Sequence, residues 1–168
     1  MVSIREIDSF KNYGKCLCVS NGTIEAYVTV DIGPRIIRFG YVGGQNIMCS
    51  NRDAFPPKDD KEFTDYFGEG KKWENLAGHR IWVSPEAYPD TYYPDLEPVD
   101  YEITEYGAVF TPGVEKENGV AKTLEIKMDP DDANMRVIMK VKNISDKAKK
   151  FSVWGLSVSE KGGCLIIP

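Results

Sequence analysis

Asn21-Gly22-Thr23-Ile24-Glu25-Ala26-Tyr27-Val28-Thr29-Val30-Asp31-Ile32-Gly33-Pro34 is the stretch whose reading decides the fold. Ile24, Ala26, Val28, Val30 and Ile32 share one parity, and Glu25, Tyr27 and Thr29 the other. Successive side chains leave a pleated backbone on opposite faces, so this period of two is that of a half-buried strand. Asn21-Gly22 tolerates positive φ at both positions and predicts a tight hairpin back to a strand at Cys16–Ser20. Gly33-Pro34 ends the run.

The same pattern extends outward in both directions. Residues 35–42 read as a strand, Gly43-Gly44 as a turn, and residues 46–49 as a returning strand. Beyond residue 100, residues 101–110 read as one strand. Val120–Met128 puts Leu124, Ile126 and Met128 inward and Glu125 and Lys127 outward. In residues 135–142 the inward set is Met135, Val137, Met139 and Val141. Residues 151–159 are apolar on both parities, as in a central strand. These segments predict an all-β chain, an antiparallel β-sandwich built as one domain over residues 1–168. Cys164 to Ile167 starts a further strand after Gly162-Gly163. An apolar strand without a partner is an exposed edge, so either the natural chain continues or a second copy covers that edge in a homodimer.

Residues 50–100 break the alternation and read as a long insertion. Pro56, Pro57, Pro85, Pro89, Pro94 and Pro98 forbid a long helix, leaving a short helical turn from Asp59. Nine aromatics fall between Phe63 and Tyr101, which gives this segment much surface to bury. A long decorated insertion in a plain β scaffold is where binding groups are expected.

Bulk properties narrow the function. The chain has 168 residues, 28% charged, with a formal net charge of -5. It lacks the basic stripe of a nucleic-acid binder; Lys147-Ala148-Lys149-Lys150 reads as a solvated turn. No apolar run approaches the ~18 residues of a membrane span, and Met1-Val2-Ser3-Ile4-Arg5-Glu6 lacks a signal-peptide core. A cytoplasmic protein is expected. Cys16 and Cys18 share a strand face at a spacing that does not suit zinc, and with Cys49 and Cys164 they read as small hydrophobes. Asp129-Pro130-Asp131-Asp132 reads as a turn without the spaced ligands of a calcium loop. Neither a phosphate-cradling Gly-rich loop nor a Gly-x-Ser-x-Gly elbow is present. No metal and no cofactor are expected.

The densest functional chemistry is Gly78-His79-Arg80-Ile81-Trp82-Val83-Ser84-Pro85-Glu86, which holds the single histidine. Together with the run from Asp31 to Gly40, Thr91-Tyr92-Tyr93-Pro94-Asp95, Trp154-Gly155-Leu156-Ser157 and Gly162-Gly163, this block resembles one branch of the galactose mutarotase-like (aldose 1-epimerase-like) superfamily. The resemblance covers nearly the whole chain and about the N-terminal half of the family's domain. It implies a large β-sandwich with a saccharide-binding concave face. In the family's mutarotases a histidine protonates the ring oxygen and a glutamate takes the proton of the anomeric hydroxyl. This chain has one histidine where that mechanism uses two, and the family's glutamate lies in the half not covered.

Within this block His79, with its near-neutral pKa, is the candidate acid, and Glu86 is the candidate base only if the Ser84-Pro85 turn folds it back. Arg80 offers a planar fork of donors to hydroxyls, Trp82 a flat face for a sugar ring, and Arg35 a second guanidinium. Tyr92 and Tyr93 are adjacent, so one packs inward while the other lines a cleft. Each has a structural alternative: His79 bonding a neighbouring strand, Arg80 pairing with Glu86 or Asp90, Trp82 packing in the core. Two function classes stay open: a carbohydrate-binding protein acting on a sugar hemiacetal, and a non-catalytic β-sandwich interaction module.

Overall fold

A computed structural model describes residues 1–164. Among them are ten strands: β1 (Ser3–Ile7), β2 (Cys16–Ser20), β3 (Ile24–Thr29), β4 (Ile36–Tyr41), β5 (His79–Ser84), β6 (Asp100–Thr104), β7 (Gly107–Thr111), β8 (Val120–Met128), β9 (Met135–Asn143) and β10 (Ser152–Ser157). They form two antiparallel sheets, one of six strands in the order β1-β2-β3-β4-β5-β10 and one of four in the order β6-β7-β8-β9. The fold is an all-β sandwich.

Parity builds the interior. Leu17 and Val19 of β2, Ile24, Ala26 and Val28 of β3, Ile36 of β4 and Ile81 of β5 meet Ala108, Phe110, Leu124, Ile126 and Met128 of the second sheet. Burying each such large apolar side chain contributes roughly 1.5–3 kcal/mol, and this interface clamps the sheets face to face. The β2–β3 turn works as its residues predict. Asn21 Oδ1 accepts from the backbone N–H of Thr23 and Ile24, both at 2.9 Å. Its Nδ2 donates to the carbonyls of Asp129 and Asp132 at 2.7 and 2.9 Å, so the turn also ties the two sheets at one end.

The outer face of the six-stranded sheet is covered too. Tyr13, Cys16, Ile32, Ile37 and Leu76 form a second apolar cluster there, and Phe63, Trp73, Trp82, Val83 and Val120 form a third that gathers around β5 and reaches β8 of the other sheet. Ile37 reaches the second cluster through a bulge. The β3–β4 register runs Tyr27↔Arg38 and then Val28↔Ile36, leaving Ile37 without an opposite residue. The strand expected from residue 35 begins at Ile36. Arg35 precedes β4 and is buried, while Arg38 pairs with Glu25 at 2.7 Å. Ile32 lies past the end of β3 in a bend, which is why it joins the second cluster rather than the face of Val28.

Several boundaries differ from the sequence reading. Residues 101–110 are a hairpin, β6 and β7, turning at Glu105-Tyr106. Residues 46–49 contribute an isolated bridge, Met48 to Ser159, and the Asn46 side chain, bonded to the Phe39 N–H and the Ile37 carbonyl within β4, stands where strand pairing would run. β1 carries too few apolar residues to show in the periodicity, and β2 recruits it. β10 is expected to be central, yet among the described residues it is the edge of its sheet, with Val153 and Trp154 exposed. The expected strand at residues 164–167 lies outside the described residues except for Cys164. The 50–100 segment holds β5 as well as its turns, a 3₁₀ turn at Arg52–Ala54 and the helix α1 (Lys61–Phe67), whose N-cap Asp60 accepts from Phe63 N–H at 3.1 Å. A further 3₁₀ turn, Lys11–Tyr13, falls outside that segment. No helix among the described residues is long and apolar enough to cross a membrane.

Candidate binding site

The β5 pleat divides the block 79–86. His79, Ile81 and Val83 point one way, and Arg80 and Trp82 the other. His79 Nδ1 lies 2.8 Å from Ser157 Oγ, its directly paired neighbour on β10. Gly155, two residues earlier on β10, leaves room for the His79 ring and for Met139 of the second sheet; a Cβ there would lie 3.2 Å from His79 Cε1 and 2.7 Å from Met139 Cε. His79 Nε2 is buried without a partner among the described residues. Burial, followed by the charge of Arg35, lowers the His79 pKa and favours the neutral ring.

Arg80 and Trp82 lie on the opposite face, inside an aromatic cluster. The Arg80 guanidinium sits 4.0 Å from the Trp82 ring centroid and 5.3 Å from that of Trp73. Trp82 packs against Trp73, Tyr92 and Trp154, and its Nε1 donates to the Thr91 carbonyl at 2.8 Å. Trp82 is only 6% exposed, so the flat face expected to stack on a sugar is covered by protein. Glu86 lies past the far end of β5, where its carboxylate accepts from the Tyr92 hydroxyl. Six strand residues at about 3.3 Å each put His79 and the end of β5 roughly 16 Å apart. The structure therefore does not bring His79 and Glu86 to two sides of one sugar ring; the strand between them is extended, and the turn at residues 84–85 does not reverse that separation.

Arg35 and Tyr93, by contrast, line one cleft between the sheets. The empty space of this cleft, open solvent at its mouth included, measures about 520 Å³. Asp95, Glu115 and Lys122 line it with them, over a floor that includes Ile81. Gly33 sets Arg35 in place. Its φ is +106°, its N–H donates to the Asp95 carbonyl at 3.1 Å, and a Cβ there would lie 2.7 Å from Thr29 Oγ1. Thr29 Oγ1 in turn accepts from Arg35 N–H at 2.9 Å. Arg35 is 1% exposed and donates from Nη2 to Asp95 Oδ2 at 2.6 Å, with Nη1 bonded to the Pro34 carbonyl at 2.9 Å. Arg80 Nη2 lies 3.9 Å from the same Asp95 oxygen, so Arg80 pairs with Asp95 rather than with Glu86 or Asp90. Lys122 Nζ donates to Glu115, whose other oxygen accepts from Asn118 Nδ2 at 2.9 Å.

These groups shape one another's protonation. Burial pushes the Asp95 carboxyl up, but Arg35 and Arg80 outweigh it and hold the group below the usual range. Burial, followed by Arg35, pulls Arg80 down to about 9, which still leaves it charged at neutral pH. Burial lowers the Lys122 pKa against the pull of Glu115. Four atoms in this network find no partner among the described residues: Arg35 Nε, Arg80 Nε and Arg80 Nη1, which can only donate, and Asp95 Oδ1, which accepts. A lone buried donor and a lone buried acceptor on one small cleft are what a hydroxyl-bearing ligand or ordered water satisfies.

Two of these residues had a signal in the sequence. Lys122 has the parity of Leu124, Ile126 and Met128, a charge on the core face of β8. Asp95 closes the Tyr92-Tyr93-Pro94-Asp95 run. Glu115 and Ser157 carried none. Comparison with protein-family models, curated proteins and solved structures finds no match. Among the described residues no group of three or more His, Cys, Asp or Glu side chains is arranged to hold a metal ion.

Proposed function

We propose that this protein is a carbohydrate-binding β-sandwich of the galactose mutarotase-like kind, and that the Arg35–Tyr93–Asp95 cleft takes the sugar. The observation that carries this reading is a buried unpartnered donor, Arg35 Nε, and a buried unpartnered acceptor, Asp95 Oδ1, on two residues that line one cleft. A sugar hydroxyl donates and accepts at once, and two adjacent hydroxyls satisfy both protein atoms. The volume with its mouth falls within the ~300–1,000 Å³ of small-molecule sites. One end of the sugar enters and the ring occupies the mouth. The proposal is binding rather than turnover: opening a hemiacetal needs an acid and a base flanking the ring, and His79 and Glu86 are separated by the length of β5. The four free cysteines suit a reducing compartment, which supports a cytoplasmic location.

The test is titration of the chain with a panel of neutral monosaccharides, followed by amide chemical shifts. Saturable shifts at Gly33, Ile81 and Gly113 are expected, weakened about tenfold in Arg35→Lys, which keeps the charge but loses the Nε donor. No saturable shift with any sugar overturns the reading. A second reading, a non-catalytic interaction module, draws on β10, where Val153 and Trp154 are exposed on opposite faces of an edge strand. Self-association through the C-terminal edge is the form it would take. Shifts that move with protein concentration and centre on Val153 and Trp154, with none at the cleft, would favour it.

A further inference from the structure

We propose that the ligand of this cleft carries a single carboxylate beside its hydroxyls, so that the site selects a sugar acid over a neutral sugar. This rests on the saccharide reading above and adds the charge of the ligand. The buried network contains three cations, Arg35, Arg80 and Lys122, and two anions, Asp95 and Glu115. Glu97 at the mouth is exposed and faces Lys71 at 3.5 Å, so it does not balance the interior. Glu86 also acts on Arg80 but is exposed to solvent, so the buried groups carry one positive charge in surplus. Orphaned donors outnumber orphaned acceptors in the same sense: Arg35 Nε, Arg80 Nε and Arg80 Nη1 against Asp95 Oδ1.

An unpaired buried charge is destabilising, and an anion of matching charge relieves it. Arg35 Nε is the donor at the cleft. Arg80 does not line the cleft; it acts from behind Asp95, through its field. A carboxylate fits better than a phosphate because of its charge. It brings one negative charge, equal to the surplus, whereas a phosphate monoester brings close to two at neutral pH.

The experiment compares glucose, glucuronate and glucose 6-phosphate on the whole chain at low ionic strength, by calorimetry. Glucuronate is expected to bind on the order of tenfold more tightly than glucose, the size of one charge interaction across several ångströms of protein, and more tightly than the phosphate ester. Two near-isosteric variants shift the charge balance in opposite directions. Arg80→Gln removes the surplus and should abolish the preference for glucuronate while glucose still binds. Glu115→Gln enlarges the surplus and should widen the preference, a change that a merely structural role would not produce. The second variant carries the test if the first fails to fold. Equal affinity for glucose and glucuronate overturns this inference and leaves the saccharide reading standing. So does a preference for the phosphate, or a preference that narrows in Glu115→Gln. No binding of any of the three overturns the saccharide reading, and this inference with it.

Discussion

Replacing Asp95 by Asn tests the buried network most directly. The substitution preserves shape and removes one charge. Arg35 and Arg80, 1% and 5% exposed, then lose the carboxylate that faces both. Removing one partner of a buried pair typically costs about 3–5 kcal/mol, because the remaining charge stays buried and uncompensated. For a chain of this size each kcal/mol moves Tm by roughly 2–4 °C, so a fall of about 6–20 °C is expected. Urea denaturation should show a lower midpoint at an unchanged slope. The pH dependence carries its own sign. The folded pKa of Asp95 lies below its unfolded value of about 3.9, so its stabilisation is fully present above that value and is lost as pH falls through the folded pKa. The gap between wild type and Asp95→Asn should therefore stay constant above about pH 5 and close below pH 4. Adding Arg80→Gln to Asp95→Asn removes one of the stranded cations and should recover part of the loss. An Asp95→Asn variant within about 0.5 kcal/mol of wild type, with no convergence in acid, would refute the claim that this carboxylate compensates the two arginines.

Three further outcomes follow from the structure. Trp82→Ala removes the hub of the aromatic cluster and should cost about 3–5 kcal/mol, whereas Trp154→Ala, at a residue 36% exposed, should cost about 1 kcal/mol; equal losses in urea melts would contradict this placement. His79 should titrate below its ordinary 6.5 by nuclear magnetic resonance, with stability falling as pH drops from about 6.5 toward the folded pKa, since only the unfolded ring readily takes the proton there; a value at or above 6.5 would show that the ring is not desolvated. Cys16, whose thiol burial pushes up to about 12, and Cys18, also raised by burial, should resist a thiol reagent at pH 8 while exposed Cys164 reacts at once, and four equally fast thiols would contradict the packing of β2.

The sequence by itself determined the strands marked by alternating side chains or by the turn beside them. β2, β3, β8 and β9 were legible because alternation is a local property, set by the pleat and by which parity is apolar. The turn at Asn21-Gly22 was legible for the same reason, since its φ demand sits on the two residues themselves. Sequence proximity misled within the block 79–86. It grouped His79 with Arg80, Trp82 and Glu86, and the pleat that makes β5 a strand sends His79 to the opposite face from Arg80 and Trp82. The candidate site could not be read along the chain. Arg35 meets Asp95 across sixty positions, and Lys122 reaches the same cleft from the other sheet. Sheet order and the stacking of the two sheets decide those meetings, as does the bulge at Ile37 that breaks the parity of β4. Their charges are then tuned by burial and by one another, and both exist only once the chain is packed.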